Sequence, residues 1–199
     1  LTRLGLDFVD LYQIHGVDID TPIEETMDAL DLVVKSGKAR HVGYCNLPAW
    51  QTMKGLAHAD SRHQARFVSA QMSYSIAGRD IEREVVPLAE DQKMAILPWS
   101  PLAGGLLSGK FDIGKPGPDG ARRSQFDFPP VDLARAAKVL DAMRAVSTET
   151  GLSVARIALA WVLSRKFVTS VIIGAKNLDQ LKDNLAASDV TLSPEHLAK

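Results

Sequence analysis

The sequence has almost no cysteine: Cys45 stands alone among 199 residues. That excludes an internal disulfide and a cysteine-built zinc cage, and it suits a reducing compartment, with the cytoplasm the expectation. Charge of one sign is lacking too. The 23 Lys and Arg nearly balance the 24 Asp and Glu, for a net charge of -1, and the basic residues are scattered. No nucleic-acid or anionic-membrane partner is expected on that pattern. No apolar run reaches about 18 residues, so no bilayer-spanning helix is expected. GxGxxG, the P-loop and GxSxG are all missing, which counts against a doubly wound dinucleotide domain and against a hydrolase. No two of the five histidines pair with a carboxylate at ligand spacing, so no metal site is expected. What is present is a core: at 46% hydrophobic and 24% charged, the chain reads as one domain over 1–199. Such a chain can bury roughly 70% of its unfolded surface.

Hydrophobic period then divides the chain. Phe8-Val9-Asp10-Leu11-Tyr12-Gln13-Ile14 reads as a strand buried on both faces. Thr21-Pro22-Ile23-Glu24 reads as a capping box opening a helix through Ile23, Met27, Leu30 and Val34, closed by Gly37. A strand at 41–45 and a helix from about Pro48 to Ala57 follow, then a strand at 67–72. A helical stretch over 80–91 contains Pro87, which implies a kink or a later start. Met94-Ala95-Ile96-Leu97-Pro98 is the fourth strand. Residues 100–130 read as a long loop, with glycines 104, 105, 109, 114, 117 and 120 and prolines 101, 116, 118, 129 and 130. Two helices follow, the first ending at Gly151 and the second capped by Ser153. Val168 to Ile173 is the fifth expected strand, and Asn177-Leu178-Asp179-Gln180 a second capping box. The opening Leu1-Thr2-Arg3-Leu4-Gly5 reads as the last turn of a helix without an initiator methionine, so the expectation is a chain cut from something longer.

Five strands alternating with helices mean parallel α/β, either an open doubly wound sheet or an arc of a (β/α)8 barrel. Both place chemistry at the carboxyl ends of strands. That rule selects His15, Cys45-Asn46, Gln71 with Tyr74, Trp99-Ser100, and Gly174 onward. Imidazole at a strand mouth can donate a hydrogen bond to a substrate oxygen, and His15 stands in such a place. His41, His58, His63 and His196 do not, and are expected to face solvent. Asn46 and Gln71 can serve a ligand amide or can be a turn residue and a buried network. Trp99 offers a flat face or packs in the core. Gly174 through Asn177 either begins an anion-binding helix with Lys176 or is a plain turn, and Gln180 has a competing job in the cap.

Several segments together resemble the aldo-keto reductase family. Asp7-Phe8-Val9-Asp10-Leu11-Tyr12-Gln13-Ile14-His15 is similar to its segment ending in the active-site histidine. Ile81-Glu82-Arg83-Glu84-Val85-Val86-Pro87 and Pro98-Trp99-Ser100-Pro101-Leu102-Ala103-Gly104-Gly105-Leu106-Leu107-Ser108-Gly109-Lys110 resemble its sixth and seventh units. Val171-Ile172-Ile173-Gly174-Ala175-Lys176-Asn177-Leu178-Asp179-Gln180-Leu181 resembles its final cofactor segment. The branch most similar contains bacterial general-stress reductases and the β-subunits of voltage-gated potassium channels. The resemblance implies a (β/α)8 TIM barrel, here an incomplete one holding the fourth to eighth units. It implies NADPH as cofactor and a small-molecule aldehyde or ketone as substrate. Under it His15 orients the carbonyl oxygen, Asn46 and Gln71 hold the nicotinamide carboxamide, and Trp99 stacks on the ring. Ser100, Leu102 and Gly104 line the pyrophosphate, while Gly174, Lys176, Gln180 and Asn184 contact the 2′-phosphate ribose and adenine. Cys45 stands where serine is common, weakening one carboxamide contact. The family's tyrosine acid, with its lysine and aspartate, lies on strands preceding this sequence. Tyr12 is no substitute and is expected to pack in the core. The absent strands would leave an open sheet edge and a fragment inactive on its own. A nucleotide-binding, redox-sensing regulatory subunit is the alternative.

Overall fold

A computed structural model describes residues 1–115, 117 and 122–199; Pro116, Pro118 and Gly120 of the long loop lie outside the described residues. Internal contacts divide the chain into two units, Leu1–Met72 with Ile81–Leu97, and Ser73–Asp80 with Pro98–Lys199.

The first unit is built on parallel strands β1 (Val9–Ile14), β2 (Ala39–Cys45) and β3 (Phe67–Ser73), with β4 (Ala95–Trp99) next in the order β1-β2-β3-β4. Its helices are α1 (Ile23–Lys35), α2 (Ala49–Ser61) and α3 (Val85–Asp91). Gly55 lets α2 approach α1, since a Cβ there would lie 3.0 Å from Ile23 Cγ1 and 3.3 Å from Met27 Cγ. Met27 and Leu56 are fully buried at that seam, each contributing roughly 1.5–3 kcal/mol by burial. Across the rim of the two helices, Lys54 pairs with Glu24 at 2.8 Å and His58 Nε2 with Asp28 at 2.8 Å.

One irregularity sets the phase of β3. Val42 pairs with Phe67, yet Gly43 pairs with Ser69, so Val68 is an extra residue on β3. This is a β-bulge, uncommon in parallel pairs. Simple alternation would put Phe67, Ser69 and Gln71 on one face. With the bulge, Phe67 lies edge-on to Tyr44 at 5.1 Å, while Ser69 and Gln71 share the opposite face with Gly43 and Cys45.

In the second unit, α5 (Leu133–Thr150) and α6 (Val154–Leu163) supply the core, following the short α4 (Arg122–Gln125). Gly151, at φ 72°, ends α5, and the Ser153 hydroxyl accepts from Arg156 N–H to start α6. Ile157 through Val162 are all buried, and Trp161 stacks on buried Tyr74 at 5.9 Å. α7 (Leu178–Leu185) and α8 (Pro194–Ala198) finish the chain. Arg156 grips Asp183 of α7 through Nε at 3.1 Å and Nη2 at 2.6 Å. No single helix among the described residues is long and apolar enough to cross a membrane.

Several expectations are corrected. Residues 169–173 form no strand. Ile172 N–H donates to Pro98 O at 2.8 Å, but in a strand a residue's N–H and C=O point to the same side. The donor that proline lacks is therefore the one that would have answered this segment. β1 is not buried on both faces: Asp10 and Tyr12 are exposed, Tyr12 at 46%, because β1 has a described partner strand only on the β2 side. The Thr21 cap is not made, because Thr21 Oγ1 donates to Asp18 Oδ2 at 2.7 Å instead. Pro87 resolves as a later start, with a 3-10 turn at Asp80–Glu82 and α3 beginning at Val85. The loop over 100–130 carries a 3-10 stretch at Ala103–Ser108 as well as α4.

Candidate functional site

In the first unit the carboxyl ends of three adjacent strands bring candidates together. β1 ends in Ile14, and His15 follows it, exposed, with no hydrogen bond from its ring to any described residue. β2 ends in Cys45, which pairs in register with Gln71 of β3. Asn46 then donates its backbone N–H to Gln71 O at 3.1 Å before turning away at φ 57°, a left-handed conformation that asparagine tolerates. Its side-chain Nδ2 donates to Cys45 Sγ at 3.2 Å. Burial pushes the Cys45 thiol up, which disfavours its thiolate form. Two residues bearing carboxamides, Asn46 and Gln71, thus meet through their backbones at the rim.

Below that rim lies a polar row on the same face. Ser69 Oγ donates to Gln13 Oε1 at 3.0 Å, passing over Gly43. A Cβ on Gly43 would sit 2.2 Å from Ser69 Oγ and 3.2 Å from Gln13 Cγ, so only glycine leaves room for the bond. A cavity of about 200 Å³ lies on the other face, lined by Ile14, Val17, Ile23, Thr26, Leu47 and Gln51. Ile14 pairs with Tyr44, so this cavity opens toward the helices and away from Gln71.

The second unit holds the remaining candidates. Trp99 ends β4, half-buried, and its ring stacks on Phe128 at 5.7 Å and 16°. Ser100, Ala103, Gly104 and Gly105 all have positive φ, 54°, 50°, 68° and 101°. The turn is closed internally: Ser100 Oγ accepts from Gly104 N–H at 2.9 Å, and Leu102 O accepts from Gly105 and Leu107 N–H. A Cβ on Gly104 would meet Phe128 O at 2.6 Å. Buried Arg123 fastens this arrangement, donating from Nη1 to Ala103 O at 2.9 Å and Pro129 O at 3.0 Å.

Farther along, Gly174 is exposed and its carbonyl accepts from Asn184 Nδ2 at 3.2 Å, Asn184 being buried. Asn177 Oδ1 accepts from Gln180 N–H at 2.9 Å, as a cap should. Gln180 Oε1 accepts from Lys176 N–H at 2.9 Å, one residue earlier than a capping box would place it. Two amides at this helix start are therefore already served by side chains. Lys176 itself is exposed.

His58 departs from expectation. It is largely buried, bonded to Asp28, because α1 presents that carboxylate across the seam. Among the described residues no three His, Cys, Asp or Glu side chains are grouped to hold a metal ion. Gln13, Ser69, Arg123 and Phe128 were not singled out by sequence. The first two had a signal, as polar side chains inside otherwise apolar strands. Arg123 had a weaker one, an aspartate four residues on.

The family model described as Aldo/keto reductase family matches residues 1–199. The chain is 36% identical over 198 residues to the uncharacterized oxidoreductase YrpG of Bacillus subtilis, covering 99% of this chain and 59% of the relative. It is 33% identical over 203 residues to versiconal hemiacetal acetate reductase of Aspergillus parasiticus, covering 98% and 57%. It is also 34% identical over 197 residues to a probable voltage-gated potassium channel subunit beta of Arabidopsis thaliana, covering 96% and 59%. The chain thus spans less than two thirds of these relatives' length.

Proposed function

The chain belongs to the aldo/keto reductase family, and from that premise we propose that it is the nicotinamide-binding and carbonyl-orienting part of an NADPH-dependent reductase of aldehydes or ketones. The observation that carries the reading is the pair of carboxamide residues at the rim, Asn46 and Gln71, joined through backbone at 3.1 Å, at strand ends next to the strand that leads into His15. Two amides able to give and accept are what a nicotinamide carboxamide requires. Bound there, the nicotinamide supplies hydride to the substrate carbonyl carbon.

The residues of the chain do the rest. His15 donates to the carbonyl oxygen and holds it in line, a contribution of orientation. Trp99, which already stacks on Phe128 at 5.7 Å, offers its indole as the stacking surface for the ring. Ser100, Leu102 and Gly104 line the pyrophosphate. Because the Ser100 hydroxyl already accepts from Gly104, its contact is made by donating its own proton. Gly174, Lys176, Gln180 and Asn184 receive the 2′-phosphate ribose and adenine, with Lys176 as the cation. The proton that completes reduction is left to the tyrosine that the family pattern implies. The four strands and the segment at 168–173 correspond to the fourth to eighth units of a (β/α)8 barrel. A reducing cytoplasm suits the lone Cys45.

The test is a titration of the intact protein with NADPH and NADH followed by Trp fluorescence, and NADPH consumption with a panel of aldehydes. Trp99→Ala should weaken NADPH binding about tenfold, the loss of one stacking contact worth about 1.4 kcal/mol. Unchanged affinity removes Trp99 from the site, and failure to bind either nucleotide sinks the proposal. The similarity to a channel β-subunit favours a second reading, a redox-sensing regulatory subunit. Tight NADPH binding with only a single slow turnover, whatever the aldehyde, would favour that reading over the first.

A further inference from the structure

We infer that Gln13 and Ser69 are positioning residues for His15, acting through the hydrogen bond that spans β1 to β3 across Gly43. The inference rests on the reductase reading for what His15 does, and on geometry for how it is held. Ser69 is 2% exposed, and Gln13 is half-buried. An alanine and a leucine would fill these places without desolvating a hydroxyl and an amide, so packing alone does not ask for a polar pair. What the pair adds is a fixed separation between two strands that are not neighbours. Three independent features serve it: the glycine that clears the path, the bulge at Val68 that puts Ser69 on the right face, and the register that places Gln13, Gly43 and Ser69 in one row.

His15 needs such help. Its ring has no orienting hydrogen bond from the described residues, whereas working histidines are ordinarily held by one. It follows an edge strand that β2 supports on one side. It lies two residues beyond Gln13 and directly after Ile14, the last residue of β1. The place of the imidazole is thus set by where β1 ends, and the Ser69–Gln13 bond holds that end of β1.

The experiment uses Gln13→Leu, Ser69→Ala and Gln13→Glu in the intact protein. Glutamate keeps an oxygen that can accept from Ser69, so it is the rescue variant. Two readouts are taken: kcat and KM for aldehyde reduction, and the ring carbon–proton NMR signals of the histidines across pH, His15 being assigned by loss in His15→Gln. Gln13→Leu and Ser69→Ala should each lower kcat about tenfold with KM for NADPH within about twofold, as a sub-ångström misplacement of an orienting group would. The same two variants should shift the His15 signals and leave those of His41, His63 and His196 in place. Gln13→Glu should restore most of both. Unmoved His15 signals, with only Tm lowered, overturn the inference, as does a glutamate variant no better than leucine. A wild-type protein that reduces no carbonyl sinks the reductase reading instead, and the His15 signals still decide the tether.

Discussion

Arg123 is the residue whose removal tests the second unit most directly. Its side chain is 7% exposed; Nη1 donates to Ala103 O and Pro129 O, while Nη2 meets Asp127 at 2.6 Å. Asp127 is 80% exposed, so that ion pair is screened and adds little. The two carbonyl bonds dominate. In Arg123→Met the stem keeps its packing, but both carbonyls lose a charged donor, at about 1–3 kcal/mol each. Relief of the buried guanidinium's desolvation offsets part of this, leaving a net loss of about 2–4 kcal/mol. With a urea slope of about 2 kcal/mol/M, the denaturation midpoint should fall by about 1–2 M. Lysine, a point donor, serves one carbonyl at a time and should recover no more than about half. A midpoint change below about 0.3 M for Arg123→Met, or full recovery by Arg123→Lys, would refute the reasoning.

Other consequences are as open to measurement. The Asp28 carboxyl is held below the usual carboxylate range, chiefly by His58 and then by Gln64; a depressed folded pKa means stability that is present above the unfolded value and lost as pH falls through the folded one. The urea midpoint should therefore drop on acidification below about pH 4, with a gentler slope in Asp28→Asn; identical slopes would exclude this pair as a cause. Cys45, buried and with its thiol pushed up, should react with a soluble alkylating agent only as the protein opens, so rapid labelling of the folded state would contradict its placement. Asn177→Ala removes the cap on Gln180 N–H and should cost about 1 kcal/mol in thermal or urea denaturation, the usual value of such a cap.

Much of this was legible in the sequence, for identifiable reasons. β1 to β4 announce themselves as short, largely apolar runs between helical stretches, and the carboxyl-end rule then leads to His15, Asn46, Gln71, Trp99 and Ser100. The fifth strand was not legible from its own residues: Val168 to Ile173 is as apolar and β-branched as the others, and the deciding proline sits on β4. The Thr21 cap failed for a similar reason, since Asp18, outside the pattern, competes for the hydroxyl. The polar row under the rim was invisible because a period of two cannot show a bulge, and Val68 shifts the phase between Phe67 and Ser69. Nor could spacing reveal that Ser100 is bound to Gly104, or Asn184 to Gly174, because both bonds depend on backbone turns at positive φ or on a helix returning to its own approach.

The bulge in β3 has a consequence for insertions and deletions. Losing a residue from a strand ordinarily turns every side chain beyond it to the wrong face, and such deletions are seldom survived. β3 carries a spare residue at Val68. With Val68 removed, Phe67 would still oppose Val42 and Ser69 would still oppose Gly43, now in regular alternation. The middle of this strand is therefore a place where chain length can drift by one residue while both the Phe67 packing face and the Gln71 rim keep their address. Relatives of different length at this point can share one arrangement of the rim.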